Sequence, residues 1–215
     1  MIKFPDSTLV NKVVPKTAFY KHLEVNASMK EHFVNDVDRI VWAYKLAPST
    51  LNVTAGKAVQ ELTVFAVTLK NKNCPSDVFV FIDKNLPRHT VFVLSFEGEQ
   101  SVLINYKEQT QGNAAMPFKV TKTYQSPWMS KDSATLIFEG ASLDLIYENM
   151  VRQIAGSLII GESNDLKEDI ESSQEQEQLK KEIAALKSKI RLERQPQKKF
   201  VLHKKLKELE SQLIK

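Results

Sequence analysis

Cysteine is almost missing from this 215-residue chain: Cys74 stands alone. That excludes an intramolecular disulfide and a zinc site completed by the cysteines of one chain, and it suits a reducing cytosol. Six glycines and eight prolines are too few for a low-complexity sequence. No apolar run approaches the roughly 20 residues that a bilayer-spanning helix needs. The opening Met1-Ile2-Lys3-Phe4-Pro5-Asp6 has none of the marks of a secretory signal. A soluble, cytoplasmic protein is expected, too short for a large multidomain enzyme.

Catalytic motifs are equally scarce. Gly56-Lys57 is the nearest approach to a phosphate-binding loop, yet Leu51 stands where the first glycine belongs and Ala58 where the magnesium-binding hydroxyl belongs. No Gly-x-Ser-x-Gly elbow occurs. The histidines, His22, His32, His89 and His203, are scattered and none has the spacing of a helical metal pair, so each is expected at the surface or the core boundary. No metal and no cofactor are expected.

What the chain does have is segregated charge. The formal net charge of +4 divides into +2 for residues 1–160, −6 for residues 161–178 and +8 for residues 179–215. Three regions follow: a globular domain over 1–160, an acidic linker over 161–178, with a poorly packed helix start over 165–173 as the alternative, and a basic helical hairpin or coiled coil over 179–215. In the last region Leu179, Ile183, Leu186 and Ile190 form one heptad seam, and Leu202, Leu206, Leu209 and Leu213 form another. Pro196 lies between them, which favours a turn between antiparallel helices over one long rod.

In the globular domain, Ser28 and Glu31 suggest a capping box for an amphipathic helix carrying Phe33, Val37, Ile40, Val41 and Tyr44 as far as Leu46. Lys16–Leu23 suggests a brief helix and Leu51–Thr54 a short strand. Glu61–Lys70 is apolar on both faces, as in an interior strand. Pro75–Leu86 suggests a helix, Thr90–Phe96 and Ser101–Tyr106 a hairpin, Lys119–Tyr124 and Ala134–Phe138 further strands, and Ser142 the cap of a helix through Ile154. The expected class is α+β: a mixed or antiparallel sheet flanked by helices, with a C-terminal α-helical hairpin.

Candidate functional residues are few. Two antiparallel strands followed by a helix and a strand form the framework on which restriction-type nucleases place acids and a lysine around a metal. Here Lys70 and Asp83 are the weak catalytic candidates, because Thr68 stands where an acid is needed and Asp83 reads as a solvated helix end. Trp128, beside Pro127, is a candidate anchor for another protein, with packing beneath a loop as the alternative, while Trp42 is expected in the core. The seam residues Ile183, Leu186, Ile190, Leu202, Leu206, Leu209 and Leu213 are candidate interaction positions, including self-association. Lys198, Lys199, Lys204 and Lys205 are candidates for contact with a nucleic-acid backbone.

Several strings together resemble the bacterial and archaeal domain of unknown function 4391 family. They are Asn11-Lys12-Val13-Val14-Pro15-Lys16, Trp42-Ala43-Tyr44-Lys45-Leu46-Ala47-Pro48, Ile82-Asp83-Lys84-Asn85-Leu86-Pro87 and Leu145-Ile146-Tyr147-Glu148-Asn149-Met150, with Ile190-Arg191-Leu192-Glu193-Arg194-Gln195 in the tail. The resemblance implies a setting beside helicases and adenine-directed DNA methyltransferases, as in restriction or antiphage defence. It also implies a Glu-x-Lys in relatives where this chain has Thr68-Leu69-Lys70. The expectation is a non-enzymatic accessory or scaffold subunit of a DNA-processing complex, partnered by a helicase, a methyltransferase or both, with DNA as a further candidate partner. A divergent metal-dependent nuclease or a DNA-binding module is the alternative.

Overall fold

The run Leu62–Leu69 buries side chains from both of its faces, which requires a strand on either side and cover above and below. The computed structural model describes residues 2–20, 25–110, 117–161, 163 and 165–213, and it meets both demands. The chain divides into two units, Met1–Gly156 and Ser157–Lys215.

In the first unit the strands are β1 (Leu9–Val14), β2 (Val37–Leu46), β3 (Leu62–Leu69), β4 (His89–Phe96), β5 (Glu99–Gln109), β6 (Phe118–Gln125) and the short β7 (Met129–Ser130). Its helices are α1 (Thr17–Tyr20), α2 (Ala27–Asn35), α3 (Pro48–Leu51), α4 (Asp77–Lys84) and α5 (Leu143–Ala155). The strands lie in sequential order from β1 to β6, with β7 against β5. Neighbours are antiparallel except β3 and β4, which run parallel because α4 makes the crossover between them.

Period two sorts the core. Phe65, Val67 and Leu69 of β3, Phe92 and Leu94 of β4 and Leu103 of β5 join Val78, Phe79 and Ile82 of α4 and Phe33 of α2 in one cluster. The alternate residues Leu62, Val64, Val91, Val93, Val102 and Ile104 are buried on the opposite face, the side of Ile146, Met150 and Val151 of α5. The α+β class, the mixed sheet, the β4–β5 hairpin, the Ser142 cap and the helix of α4 all stand as the sequence suggested.

Four local expectations need correction. The amphipathic helix through Leu46 ends at Asn35, and residues 37–46 are strand β2. Two register shifts against β3, at Val37/Arg39 and Trp42/Tyr44, break the alternation, so the buried positions 37, 40, 43 and 46 recur every three residues. A bulged strand thereby imitates a helical period. The cap of α2 is Asn26, which accepts from Met29 N at 2.8 Å, two residues earlier than the Ser28 box. Leu51 ends α3, and Thr54 makes only an isolated bridge to Ser142. Ala134–Phe138 is not a regular strand, since the Gln153 side chain takes both polar groups of Ile137, accepting from its N at 2.9 Å and donating to its O at 2.8 Å. The brief helix expected over Lys16–Leu23 is α1 as far as Tyr20; its end at Leu23, and His22 with it, lie outside the described residues.

The second unit is the expected helical hairpin, α6 (Leu166–Leu192) and α7 (Pro196–Leu213). The acidic stretch is the helix start of the two alternatives, since α6 runs from Leu166, and it is packed, with Leu166, Asp169, Ile170 and Ser173 buried. Asp165 caps α6 by accepting from Lys167 N at 2.9 Å, and Glu168 and Asp169 in its first turn complement the positive end of the helix. Among the described residues no helix is long and apolar enough to cross a membrane.

Candidate functional site

Lys70 closes β3 at the position where the nuclease framework would put its lysine. Its backbone N–H donates to Asp36 O at 2.8 Å and its ammonium to Val34 O at 3.1 Å, at the end of α2. Asp36, nearly buried, accepts from the His32 ring at 2.7 Å and from the Asn71 amide at 3.2 Å. Lys16 reaches Val37 O at 2.7 Å, and its pKa is lowered first by burial and then by Lys70. Both ammonium groups are thus engaged by backbone carbonyls at the α2–β2 junction. Thr68 is exposed beside them, and among the described residues no three His, Cys, Asp or Glu side chains come together as a metal would require.

Asp83 lies elsewhere, and the expected solvated helix end is wrong. Its side chain is wholly buried at the end of α4 and pairs with the Lys107 ammonium of β5 at 2.7 Å. Lys107 also donates to Asp83 O at 2.7 Å, Arg88 O at 2.7 Å and Leu86 O at 3.2 Å. These carbonyls belong to the end of α4 and the loop after it, so one cation closes the negative end of the helix. The other Asp83 oxygen accepts from the Asn105 amide at 2.9 Å, and Asn105 Oδ1 accepts from Thr123 at 2.7 Å. Burial pushes Asp83 up and Lys107 down, and each opposes the shift of the other.

From the far side of the sheet, the Tyr147 hydroxyl of α5 donates to Asn105 O at 2.8 Å and accepts from Lys107 N at 3.0 Å. It thereby spans the register shift that β5 makes against β6 between Tyr106 and Lys107. His89 packs against Tyr147 and Phe118, with ring centroids 4.6 and 4.5 Å away. Burial, reinforced by the Lys107 charge, lowers the His89 pKa to about 4. His89 is therefore core, contrary to its expected place at the surface or boundary. Lys107, Asn105, Tyr147 and His89 were missed from sequence. The available signal was Asn105 and Lys107 in phase with Leu103, on the face of an otherwise apolar strand that meets α4.

The glycine-lysine loop holds an internal anion. Asp144 of α5 accepts from Lys57 N at 2.5 Å, Val59 N at 2.8 Å and Ala58 N at 3.2 Å. A Cβ at Gly56 would meet Asp144 Oδ1 at 2.2 Å. The loop cradles a carboxylate of its own chain, in keeping with a sequence that fails the phosphate-loop motif at Leu51 and Ala58.

Trp128 is half-buried against the cluster beneath α4, with the Lys72 ammonium 5.3 Å from its ring centroid. It packs under its loop. Trp42 also packs on that cluster, from a strand where a helix was expected. In the hairpin, Ile183, Leu186 and Ile190 are buried, Leu202, Leu206, Leu209 and Leu213 are half-buried, and α7 has no buried residue. Lys187 pairs with Glu210 at 2.8 Å across the two helices. Leu192, Phe200 and Val201 near the turn are 75%, 73% and 64% exposed. Lys198, Lys199, Lys204 and Lys205 are exposed as well.

The profile of a family described as a domain of unknown function, DUF4391, matches residues 2–213. The chain belongs to the DUF4391 family. Comparison with curated proteins and with solved structures finds no match. Because the DUF4391 match covers the sheet unit and the hairpin alike, both are parts of the family's domain.

Proposed function

We propose that this DUF4391 protein is a non-enzymatic accessory subunit of a cytoplasmic DNA-processing complex, acting by protein–protein binding through its helical hairpin. The carrying observation is the exposed apolar group beside the hairpin's turn, Leu192, Phe200 and Val201, next to a helix α7 that has no buried residue. An apolar surface of that kind gains stability when a partner removes it from water, at roughly 25 cal/mol per Å². The partner class, a helicase or DNA methyltransferase, is what the family resemblance implies. The buried Asp83–Lys107 pair supports the same reading, because its side chains are sealed from any substrate and its hydrogen bonds hold α4 to the sheet.

Co-purification with a helicase and a DNA methyltransferase of the same cell tests the proposal. The full chain should retain one of them, and Phe200→Ser with Val201→Ser should release it without loss of helix content. Retention of neither by the full chain sinks the reading. A DNA-binding role has support from exposed Lys198, Lys199, Lys204 and Lys205. It requires affinity that falls with salt and falls further when these four are changed to Glu. The nuclease reading has the least support, since its framework position holds Thr68 and a lysine engaged by Val34 O.

A further inference from the structure

Beside the edge of the sheet, Val14, Phe19, Trp42, Phe65 and Leu86 wall an apolar cavity of about 210 Å³. Two polar residues complete its lining, Thr63 and Arg88. Thr63 is only 3% exposed, and its hydroxyl has no hydrogen-bond partner among the described residues. An unsatisfied buried hydroxyl costs free energy, so a ligand that supplies a partner recovers it there. Glu61, Thr63 and Phe65 follow one another at alternate positions, so one end of the cavity is charged, its middle carries a hydroxyl and the rest is aromatic. At the charged end Glu61 is shared by Arg88 at 2.8 Å and Lys45 at 2.7 Å. Two cations against one carboxylate leave a net positive charge.

We propose that this cavity binds a small aromatic acid, its ring among Phe19, Trp42 and Phe65 and its carboxylate toward Arg88 and the Thr63 hydroxyl. Size sets the class. An apolar cavity of about 150 Å³ accommodates benzene, whereas drug-sized ligands occupy roughly 300–1,000 Å³. A space of about 210 Å³ suits one substituted ring. Charge sets the sign, because an uncharged ring would leave the excess cation unanswered, and a basic one would be repelled.

Trp42 reports on its own cavity, and the only other tryptophan is Trp128. The test titrates the full chain carrying Trp128→Phe with phenylacetate, with uncharged 2-phenylethanol and with ringless acetate, reading Trp42 emission. Calorimetry on the unsubstituted chain serves if that variant does not fold. Phenylacetate should bind saturably, 2-phenylethanol at least fivefold more weakly, and acetate not at all. Thr63→Val should weaken phenylacetate about tenfold, and Val14→Phe, which fills the cavity from the edge strand, should abolish binding while leaving the far-ultraviolet dichroism and the cooperative thermal unfolding intact. Absence of saturable binding in the millimolar range, equal affinity for acid and alcohol, or unchanged binding in folded Val14→Phe would overturn the proposal.

Discussion

Lys107 and Asp83 meet at 2.7 Å with side chains 1% and 0% exposed, an ion pair sealed between the end of one helix and a strand of the sheet. The relationship is tertiary in origin. Asp83 comes from α4, Lys107 from β5, and the hydrogen bonds around them reach Leu86, Arg88, Asn105 and, through Asn105, Thr123.

Breaking the pair from one side leaves a buried charge alone, which costs about 3–5 kcal/mol. Lys107→Met is therefore expected to lower unfolding free energy by that order, and Asp83→Leu combined with Lys107→Met to regain a substantial part. Urea denaturation of the two variants checks both statements. A loss under about 1 kcal/mol in the single variant would show that the cation does not hold α4 in place.

The neutral ring of His89 makes stability depend on acid. Its pKa is about 4 in the fold against 6.5 unfolded, so between these values the unfolded chain binds more protons. Stability is expected to be full above pH 6.5 and to decline as pH falls toward 4, by about 3 kcal/mol in all. His89→Phe should flatten that decline, as read from thermal or urea unfolding across the window. An equally steep decline in the folded variant would assign the acid sensitivity to other groups.

Cys74 should be inert at neutral pH. Burial, with Asp36 nearby, pushes its thiol up to about 12 from 9.0, and the thiolate is the reactive form. Alkylation of the native chain by iodoacetamide is expected to run roughly a thousandfold slower than in urea. Comparable rates in the two states would mean that the thiol is accessible and ordinary.

The two apolar surfaces of the hairpin make different demands. Leu206→Lys with Leu209→Lys inserts charge where α6 and α7 pack, so helix content at 222 nm should fall and thermal unfolding should begin earlier. Phe200→Ser with Val201→Ser changes side chains already 73% and 64% exposed, so helix content should stay the same. Equal effects on folding would place Phe200 and Val201 inside the hairpin's own packing.

Asp144 offers three amides a single acceptor. Asp144→Ala is expected to lower stability by about 1–3 kcal/mol and to speed proteolysis at Lys57, while Asp144→Asn should fall between it and the parent chain. Unchanged cleavage at Lys57 in Asp144→Ala would show that the loop is held by other contacts.

The sequence by itself determined those elements whose signal is local and periodic. The two-sided apolar run became β3, the stripe through Val78, Phe79 and Ile82 became α4, although it starts at Asp77 rather than at Pro75, Ser142 capped α5, and Pro196 parted two heptad seams. Such patterns reflect the period of one helix or strand, and they hold wherever one face is buried. Tertiary structure alone decided that β2 is a strand, because register shifts against β3 supply its threefold burial period. It decided equally that Asp83 is buried: a carboxylate at a helix end is solvated unless another element brings a cation, and Lys107 arrives from 24 positions along the chain. The cavity beside Thr63 belongs to the same category. Its walls come from β1, α1, β2, β3 and the loop after α4, and only the folded sheet brings Val14, Phe19, Trp42, Thr63 and Arg88 around one space.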